Sequence, residues 1–192
     1  MPKPDSFQTV TDSRVLAAMS HPLRRRLLDA LAVDGPSTVS MLAERTGQAS
    51  GNVSHHVKVL HEASLVEEAP ELARDRREHW WRLRAGGIRW SSTSFAEDQA
   101  TIAVADAAAS LNLEHQVGKV RAWQAQSETA DREWVDAAFS TDYWLQLTPG
   151  ELAEVSQQII DLLNGWYLRK LPDDGAKREP VFVFARGIPA AP

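Results

Sequence analysis

Residues 50–66 read SGNVSHHVKVLHEASLV and concentrate polar side chains on one side of a predicted helix. Val53, Val57 and Leu60 recur at spacings of four and three residues and therefore share the opposite, apolar face. No acidic residue follows on the polar side before Glu62. Side chains of this kind donate hydrogen bonds to phosphates and to base edges in a major groove, and glycine permits close approach of a duplex. The residues on that side are Ser50, Gly51, Asn52, Ser54, His55 and Lys58.

Three arginines, Arg74, Arg76 and Arg77, lie between two stretches that favour β-structure, residues 65–68 and 79–83. This arrangement predicts a hairpin whose charged tip reaches the DNA backbone or the adjacent minor groove. Acidic residues near the tip would partly neutralise these arginines and make binding sensitive to salt. These acids are Glu67, Glu68, Glu71 and Asp75. A further basic cluster, Arg24, Arg25 and Arg26, has two interpretations, phosphate binding or a solvated helix face.

Caps and breakers mark the helices that would position these residues. A first helix is expected from Thr11 or Asp12, either of which can cap it, and a second begins at Pro22. A short third helix ends at Gly47, and Ser50 is the expected N-cap of the fourth. Two short helices joined by a brief turn form a helix-turn-helix, and the hairpin that follows is a wing.

Four stretches of the chain resemble the ArsR-type winged-helix repressors: HPLRRRLLDAL, VSMLAERTG, SGNVSHHVKVLHEASLVEE and HWWRL. The resemblance covers roughly residues 10–85, and Ser64 stands where the family usually has glycine. It implies a bacterial homodimer that binds double-stranded DNA at a palindromic operator as a repressor. It also implies that five residues of the fourth helix enter the groove, namely Ser50, Asn52, Ser54, His55 and Lys58.

The chain departs from the metal-sensing members of that family. Those proteins bind metal through cysteines before the recognition helix or through Asp, His and Glu sets on the last long helix. This chain has no cysteine, and its long helix offers only Asp106, Glu114 and His115. Because zinc needs a convergent set of ligands, we expect neither a metal site nor a cofactor. The absence of a glycine-rich phosphate loop, a GxSxG elbow and an HExxH motif argues against an enzyme.

The charge distribution divides the chain into two halves. The net charge of −5 opposes binding to nucleic acid, but residues 1–85 hold 12 basic and 11 acidic residues, whereas residues 86–192 hold 9 and 15. The first half is therefore the one suited to phosphate. With no signal sequence and no apolar run long enough to span a membrane, the chain is expected to be a soluble cytoplasmic protein.

Residues 86–192 are expected to form a helical C-terminal domain with a small two-stranded β-element. Helices are predicted over residues 96–126 and 131–139, and the capping box TPGE begins another. Residues 143–147 and 181–185 are the predicted strands. The fold class is thus mainly α, with a winged helix-turn-helix of three to four helices and a hairpin followed by this domain.

Two features of the C-terminal domain bear on its role. Its aromatic residues could line a pocket for a small apolar effector or could simply form a core. The small side chains of Ala105, Ala107, Ala108 and Ala109 allow close helix approach, either across a dimer interface or within the chain. We interpret the domain as a dimerisation domain, and a pocket for a small apolar effector and a plain aromatic core both stay open as interpretations of its aromatic residues.

The sequence therefore predicts a sequence-specific DNA-binding transcriptional regulator. The main alternative is a winged helix that binds protein, as an interaction module or co-regulator without DNA affinity, which the net negative charge and the wing acids favour. A third interpretation is a small-molecule-binding or catalytic protein in which the winged helix is a scaffold.

Overall fold

The computed structural model describes most of the 192 residues, in two compact units, Met1–Asn112 and Leu113–Pro192. The described residues are 8–10, 12–75, 77–89 and 99–191. Helices predominate in both units, as the sequence predicts, and the strands of the described residues all belong to the first unit. Thr11, one of the two candidate caps of the first helix, lies outside the described residues.

Helices α1 (Ser13–Met19) and α2 (Pro22–Asp34) begin where the sequence predicts. The carboxylate of Asp12 caps α1 by accepting a hydrogen bond from a backbone amide two residues later, at 2.9 Å. The Nδ1 atom of His21 accepts a hydrogen bond from the Leu23 backbone amide at 3.1 Å and caps α2. Both helix starts are therefore fixed by short local hydrogen bonds.

The helix-turn-helix pair consists of α3 (Val39–Thr46) and α4 (Ser50–Glu62). Gly47 ends α3 with φ of +64°, in the left-handed region that favours glycine. The prediction that Ser50 caps α4 is wrong, because Ala49 holds the cap position without a side-chain hydrogen bond. The turn that starts at Gly47 leaves Ala49 as the last extended residue, so Ser50 is already helical.

The strands are short and form two separate sheets. A parallel pair of two-residue strands joins β1 (Gln8–Thr9) to β5 (Ile88–Arg89). The antiparallel sheet has the order β2–β4–β3, formed by β2 (Ser37–Thr38), β3 (Val66–Glu68) and β4 (Trp80–Leu83). The hairpin of β3 and β4 confirms the predicted wing. Strand β2 was not predicted, because a strand of two residues is too short to show an alternation of apolar and polar side chains.

The core of the first unit is built by the apolar stripes of α2, α3 and α4. Leu27, Leu42, Val53, Val57 and Leu60 are fully buried in it, at the helical spacings that the sequence shows. Burying an aliphatic side chain of this size stabilises a fold by about 1.5–3 kcal/mol. The same stripe that anchors α4 forces its other side outward.

A second, smaller cluster uses the first half of α5 (Gln99–Gln126). Ala105 and Ala108 are buried there with Val10 and Leu16 of the same chain. The alanine-rich stretch had two interpretations, a dimer interface and packing within the chain. Ala105 and Ala108 pack within the chain. The predicted helix began at residue 96, and residues 96–98 lie outside the described residues.

The second unit contains α6 (Arg132–Ala137) and α7 (Pro149–Leu168). The predicted capping box at the start of α7 is confirmed, with both of its reciprocal hydrogen bonds present. The predicted strands at residues 143–147 and 181–185 are wrong for the single chain, since neither segment is a strand. Their β-favouring side chains cannot make a strand without a neighbouring backbone to pair with. Among the described helices, none combines the length and the apolar composition that crossing a membrane requires.

Candidate nucleic-acid interface

The exposed face of α4 brings six of the predicted site residues together. Val53, Val57 and Leu60 hold the helix against the core, and the polar residues point to solvent. A Cβ atom added at Gly51 would meet no atom within 4 Å, so packing within the chain does not require this glycine. The exposed residues of the face are Ser50, Gly51, Asn52, Ser54, His55 and Lys58.

Two of these side chains make weak contacts within the chain. The amide of Asn52 donates to Oε1 of Gln48 at 3.2 Å, one turn earlier. The ammonium of Lys58 lies 3.9 Å from Oε1 of Glu62, and both side chains are well exposed. An exposed pair of this kind contributes little to stability. Both donors can therefore turn to an external acceptor at small cost.

His56 lies beneath this face and is buried, in contrast to its neighbour His55. Its ring centroid is 4.4 Å from that of His21 and 5.3 Å from that of His55. Burial, with the nearby charges of His21, Arg24 and His55, lowers the pKa of His56. His56 is thus a packing histidine, and its Nδ1 atom has no hydrogen-bond partner among the described residues.

The tip of the wing exposes two of the three predicted arginines. Arg74 and Arg77 are exposed, and Arg76 lies outside the described residues. The backbone amide of Arg74 donates to Oε2 of Glu78 at 2.8 Å, and that of Arg77 donates to Oδ1 of Asp75 at 2.7 Å. These two carboxylates accept from the backbone and shape the tip, while the guanidinium groups of Arg74 and Arg77 face solvent.

The remaining acids of the wing belong to a cluster that the sequence did not reveal. Arg82 on β4 donates to Glu67 at 2.8 Å and also to Glu71, and His79 lies 3.4 Å from Glu68. Hydrogen bonding to Glu67 is the largest of the effects that raise the pKa of Arg82. Because Glu67 and Arg82 face each other in the β3–β4 register, the pairing depends on strand alignment. Three acids near the tip are thereby engaged within the wing.

The arginine cluster of α2 is used mainly inside the fold. Arg24 donates to the carbonyl oxygens of Ala17 and Ala18, at the end of α1. Arg26 donates to the carbonyl of Thr46 at 2.6 Å and so ties α2 to the end of α3. Burial lowers the pKa of Arg25. Arg24 and Arg26 therefore bind carbonyl groups at helix ends, and Arg26 is at the same time exposed to solvent.

Helix α5 carries the acidic and histidine residues that the sequence analysis considered as metal ligands. Asp106, Glu114 and His115 were the candidates from the sequence. In the part of the chain that the structure describes, no group of three or more His, Asp or Glu side chains is placed to hold a metal ion. The ring of His115 instead lies edge-on to Phe182, with centroids 6.4 Å apart.

Residues 19–69 match a family model described as "Helix-turn-helix domain". The match spans the elements from α2 to β3 and includes α4, which carries the exposed donor face. This segment is a helix-turn-helix domain, and the second strand of the wing, β4, follows it in the chain. The helix-turn-helix resemblance indicated by the sequence is thereby confirmed over about a quarter of the chain.

Several solved structures are similar to parts of this chain. One is the homodimeric winged helix-turn-helix DNA-binding domain of Mb0332 from Mycobacterium bovis, a possible ArsR-family transcriptional regulator, at 21% identity over 59% of this chain and 83% of that one, with a TM-score of 0.36. Another is the transcriptional repressor BigR from Xylella fastidiosa, at 23% identity over 55% and 83%, with a TM-score of 0.34. No curated protein matches the chain.

Proposed function

We propose that this protein is a sequence-specific DNA-binding transcriptional regulator that acts as a homodimeric repressor on a palindromic operator. The observation that carries the proposal is the outer face of α4, where six small or donor-bearing residues stand exposed and no acid occurs before Glu62. Such a face suits the major groove, which offers acceptors on phosphates and on purine edges.

Each part of the interface has its own task in this proposal. Asn52 is suited to read adenine through paired hydrogen bonds, and Lys58 is suited to guanine or phosphate. Gly51 has open space around its Cα and allows a phosphate to approach the start of α4. Ser50, Ser54 and His55 donate to the same groove. Arg74, Arg76 and Arg77 of the wing contact the backbone, and they set orientation more than sequence preference.

We further propose that residues 10–85 form the DNA-binding domain and that residues 86–192 form the dimerisation domain. A two-fold axis would place the two α4 helices in successive major grooves, about 34 Å apart. An effector bound to the C-terminal domain would alter affinity by changing the spacing of the two helices.

The competing function is a winged helix that binds protein. Its support is the net charge of −5 and the acids of the wing. Three of those acids contact Arg82 or His79 inside the wing, which weakens the argument from local charge. The exposed donor face of α4 is the better-supported site.

The test is binding of the full chain to the DNA upstream of its own gene, by fluorescence anisotropy across a salt series. Selective binding over unrelated DNA, with two protomers per site, is the expected result. The variants Asn52→Ala and His55→Ala should weaken operator binding by about 1–3 kcal/mol each for base-contacting groups. Asn164→Ala, in the second unit, is the matched control and should bind as the wild type does. Equal, weak binding to both DNAs would favour the protein-contact alternative.

A further inference from the structure

The second unit lacks a core of its own. None of the described residues 113–191 is buried, although this stretch holds two helices and the second half of α5. A domain of about 60 residues ordinarily buries about 60% of its unfolded surface, with fully buried apolar side chains among it. The apolar residues needed for a core are present but exposed. Those with the greatest exposure are Phe139, Tyr143, Trp144, Val181 and Ile188.

Helix α7 carries one broad apolar stripe. Leu152, Val155 and Leu163 contribute its half-buried part. Ile159, Leu162 and Trp166 recur at i, i+3 and i+7 within the same stripe and are exposed, Leu162 at 61% and Trp166 at 59%. An apolar stripe on a surface helix is normally covered by another element.

Two segments of the second unit have unpaired backbones. Residues 139–147 and 181–185 run without a turn or bend, and neither segment makes a backbone–backbone hydrogen bond with any residue that the structure describes. Their side chains, YWLQL and VFVFA at 143–147 and 181–185, favour strands. Exposed strand-like segments of this composition are templates for pairing with another chain.

We infer that the exposed apolar surface of the second unit binds a second copy of this chain, and that residues 143–147 of each copy pair antiparallel with residues 181–185 of the other. This inference deepens the proposed homodimer by naming its interface, and it does not depend on DNA binding.

Charge complementarity favours a second copy over an unrelated partner. In antiparallel pairing of the two segments, residue 143 faces residue 185 and residue 147 faces residue 181. Asp142 of one copy then lies opposite Arg186 of the other, and the two-fold axis repeats this contact. Opposite charges in such cross-strand positions are favourable. Each of the two segments of one copy thus pairs with a segment of its partner along one edge.

The exposed area is also sufficient for a stable dimer. Phe139, Tyr143, Trp144, Trp166 and Phe182 are between 47% and 81% exposed. Since an aromatic side chain buries about 150–250 Å² when fully covered, these five offer on the order of 500–800 Å² per copy. A standard interface buries about 800 Å² per partner. The exposed aliphatic residues of α7, Ile159 and Leu162, add to this area.

The first test measures mass and backbone protection together in the full chain. Light scattering should give twice the chain mass of 21.3 kDa, and hydrogen exchange should show protection at both segments. The mass and the protection should fall together on dilution. A monomer with protected segments would mean pairing within one chain, and a dimer with unprotected segments would place its interface elsewhere; either result overturns the inference. Protection that appears in a monomer only with an added apolar compound would assign the surface to an effector, and also overturns it.

The second test uses charge reversal. Asp142→Arg and Arg186→Asp should each raise the dimer dissociation constant by on the order of tenfold, because each dimer then holds two like-charged cross-strand pairs. Mixing the two single variants should restore dimers, since every contact between unlike copies again joins opposite charges. Asp173→Arg, an exposed residue outside both segments, is the matched control and should leave the dimer unchanged.

Mixing the two charge-reversed variants distinguishes pairing between copies from pairing within one chain. Pairing within one chain would not be rescued by mixing, because residues 142 and 186 of each chain would still repel each other. Two variants that dimerise as the wild type does would also overturn the inference. A dimer without operator affinity would leave the inference standing and remove the proposed function, and a monomer that binds the operator would do the reverse.

Discussion

Helices α4 and α7 carry the same kind of apolar stripe but meet opposite surroundings. On α4, Val53, Val57 and Leu60 are fully buried among α2 and α3. On α7, the residues at equivalent spacings, Ile159, Leu162 and Trp166, are exposed. The comparison teaches that helical periodicity predicts that a face will be covered but does not say by what. For α4 the chain itself supplies the cover, and for α7 we infer that a second copy does.

Truncating a buried leucine should give the largest effect and the sharpest contrast between the two stripes. Leu60→Ala should lower the free energy of unfolding by about 2–5 kcal/mol, because it removes packed methyl groups and leaves a cavity. Leu162→Ala should cost less than about 1 kcal/mol at concentrations where the protein is monomeric, since its side chain is largely exposed. Urea denaturation of both variants at several protein concentrations measures the difference. Equal losses of unfolding free energy for the two variants in dilute protein would contradict the contrast between a buried α4 stripe and an exposed α7 stripe.

The outer sides of the two regions should also differ in their response to DNA. Lys58→Ala should weaken operator binding by about 1–3 kcal/mol. It should also reduce the slope of log affinity against log salt concentration by about 1, the contribution of one phosphate contact. Lys170→Ala removes the same charge from the second unit and should leave both quantities unchanged. Anisotropy titrations at four salt concentrations provide the measurement. A similar loss for both lysines would mean that DNA binding is only a response to net charge.

Helix caps should behave alike in both regions, because they depend on local geometry. Thr38 caps α3 through the Met41 amide, and Thr148 caps α7 through the Glu151 amide, both at 3.3 Å. Thr38→Ala and Thr148→Ala should each cost about 1 kcal/mol of stability. Thermal denaturation of the two variants checks this. A much larger loss for Thr38 alone would show that its role is packing in the core rather than capping.

The smallest expected effect is a pH dependence between pH 7.5 and 5.5 that comes from two histidines of the first unit. Burial and nearby positive charge lower the pKa of His56, and burial lowers that of His21, from the ordinary value of 6.5. Below pH 6.5 the unfolded chain therefore binds more protons than the folded one, and stability falls as the pH drops toward the folded values. Wild type should lose more stability between pH 7.5 and 5.5 than His56→Phe does. Equal slopes of stability against pH for the two proteins would mean that His56 is not the cause of the pH dependence.

Much of the first unit could be predicted because its signals are local. Pro22, Gly47 and the apolar spacing of α4 mark where helices start, stop and face, and these features involve residues only a few positions apart. The hairpin was predictable from two β-favouring stretches around a polar tip. The cap of α4 was misplaced by one residue, because Ser50 has the chemistry of a cap and only the backbone path shows that Ala49 occupies that position.

The candidate site was predictable on α4 and less so elsewhere. The helical wheel correctly separated the exposed donors from the buried apolar residues. It could not show that Arg24 and Arg26 are bound to the carbonyl ends of neighbouring helices, because those partners lie up to 20 residues away. The sequence also did not indicate Arg82, whose acidic partners are set by the register of β3 and β4.

The sequence by itself determined the helices, the caps at Asp12 and Thr148 and the polar face of α4, because each of these follows from backbone preferences and from side chains within one or two helical turns. Only the tertiary structure decided that β2 joins the wing, that His56 stacks on His21 and that Glu67 meets Arg82. It also decided that residues 143–147 and 181–185 stay unpaired in a single chain. The physical reason is that strand pairing and burial require a second surface, and the position of that surface is not encoded in the segment that needs it.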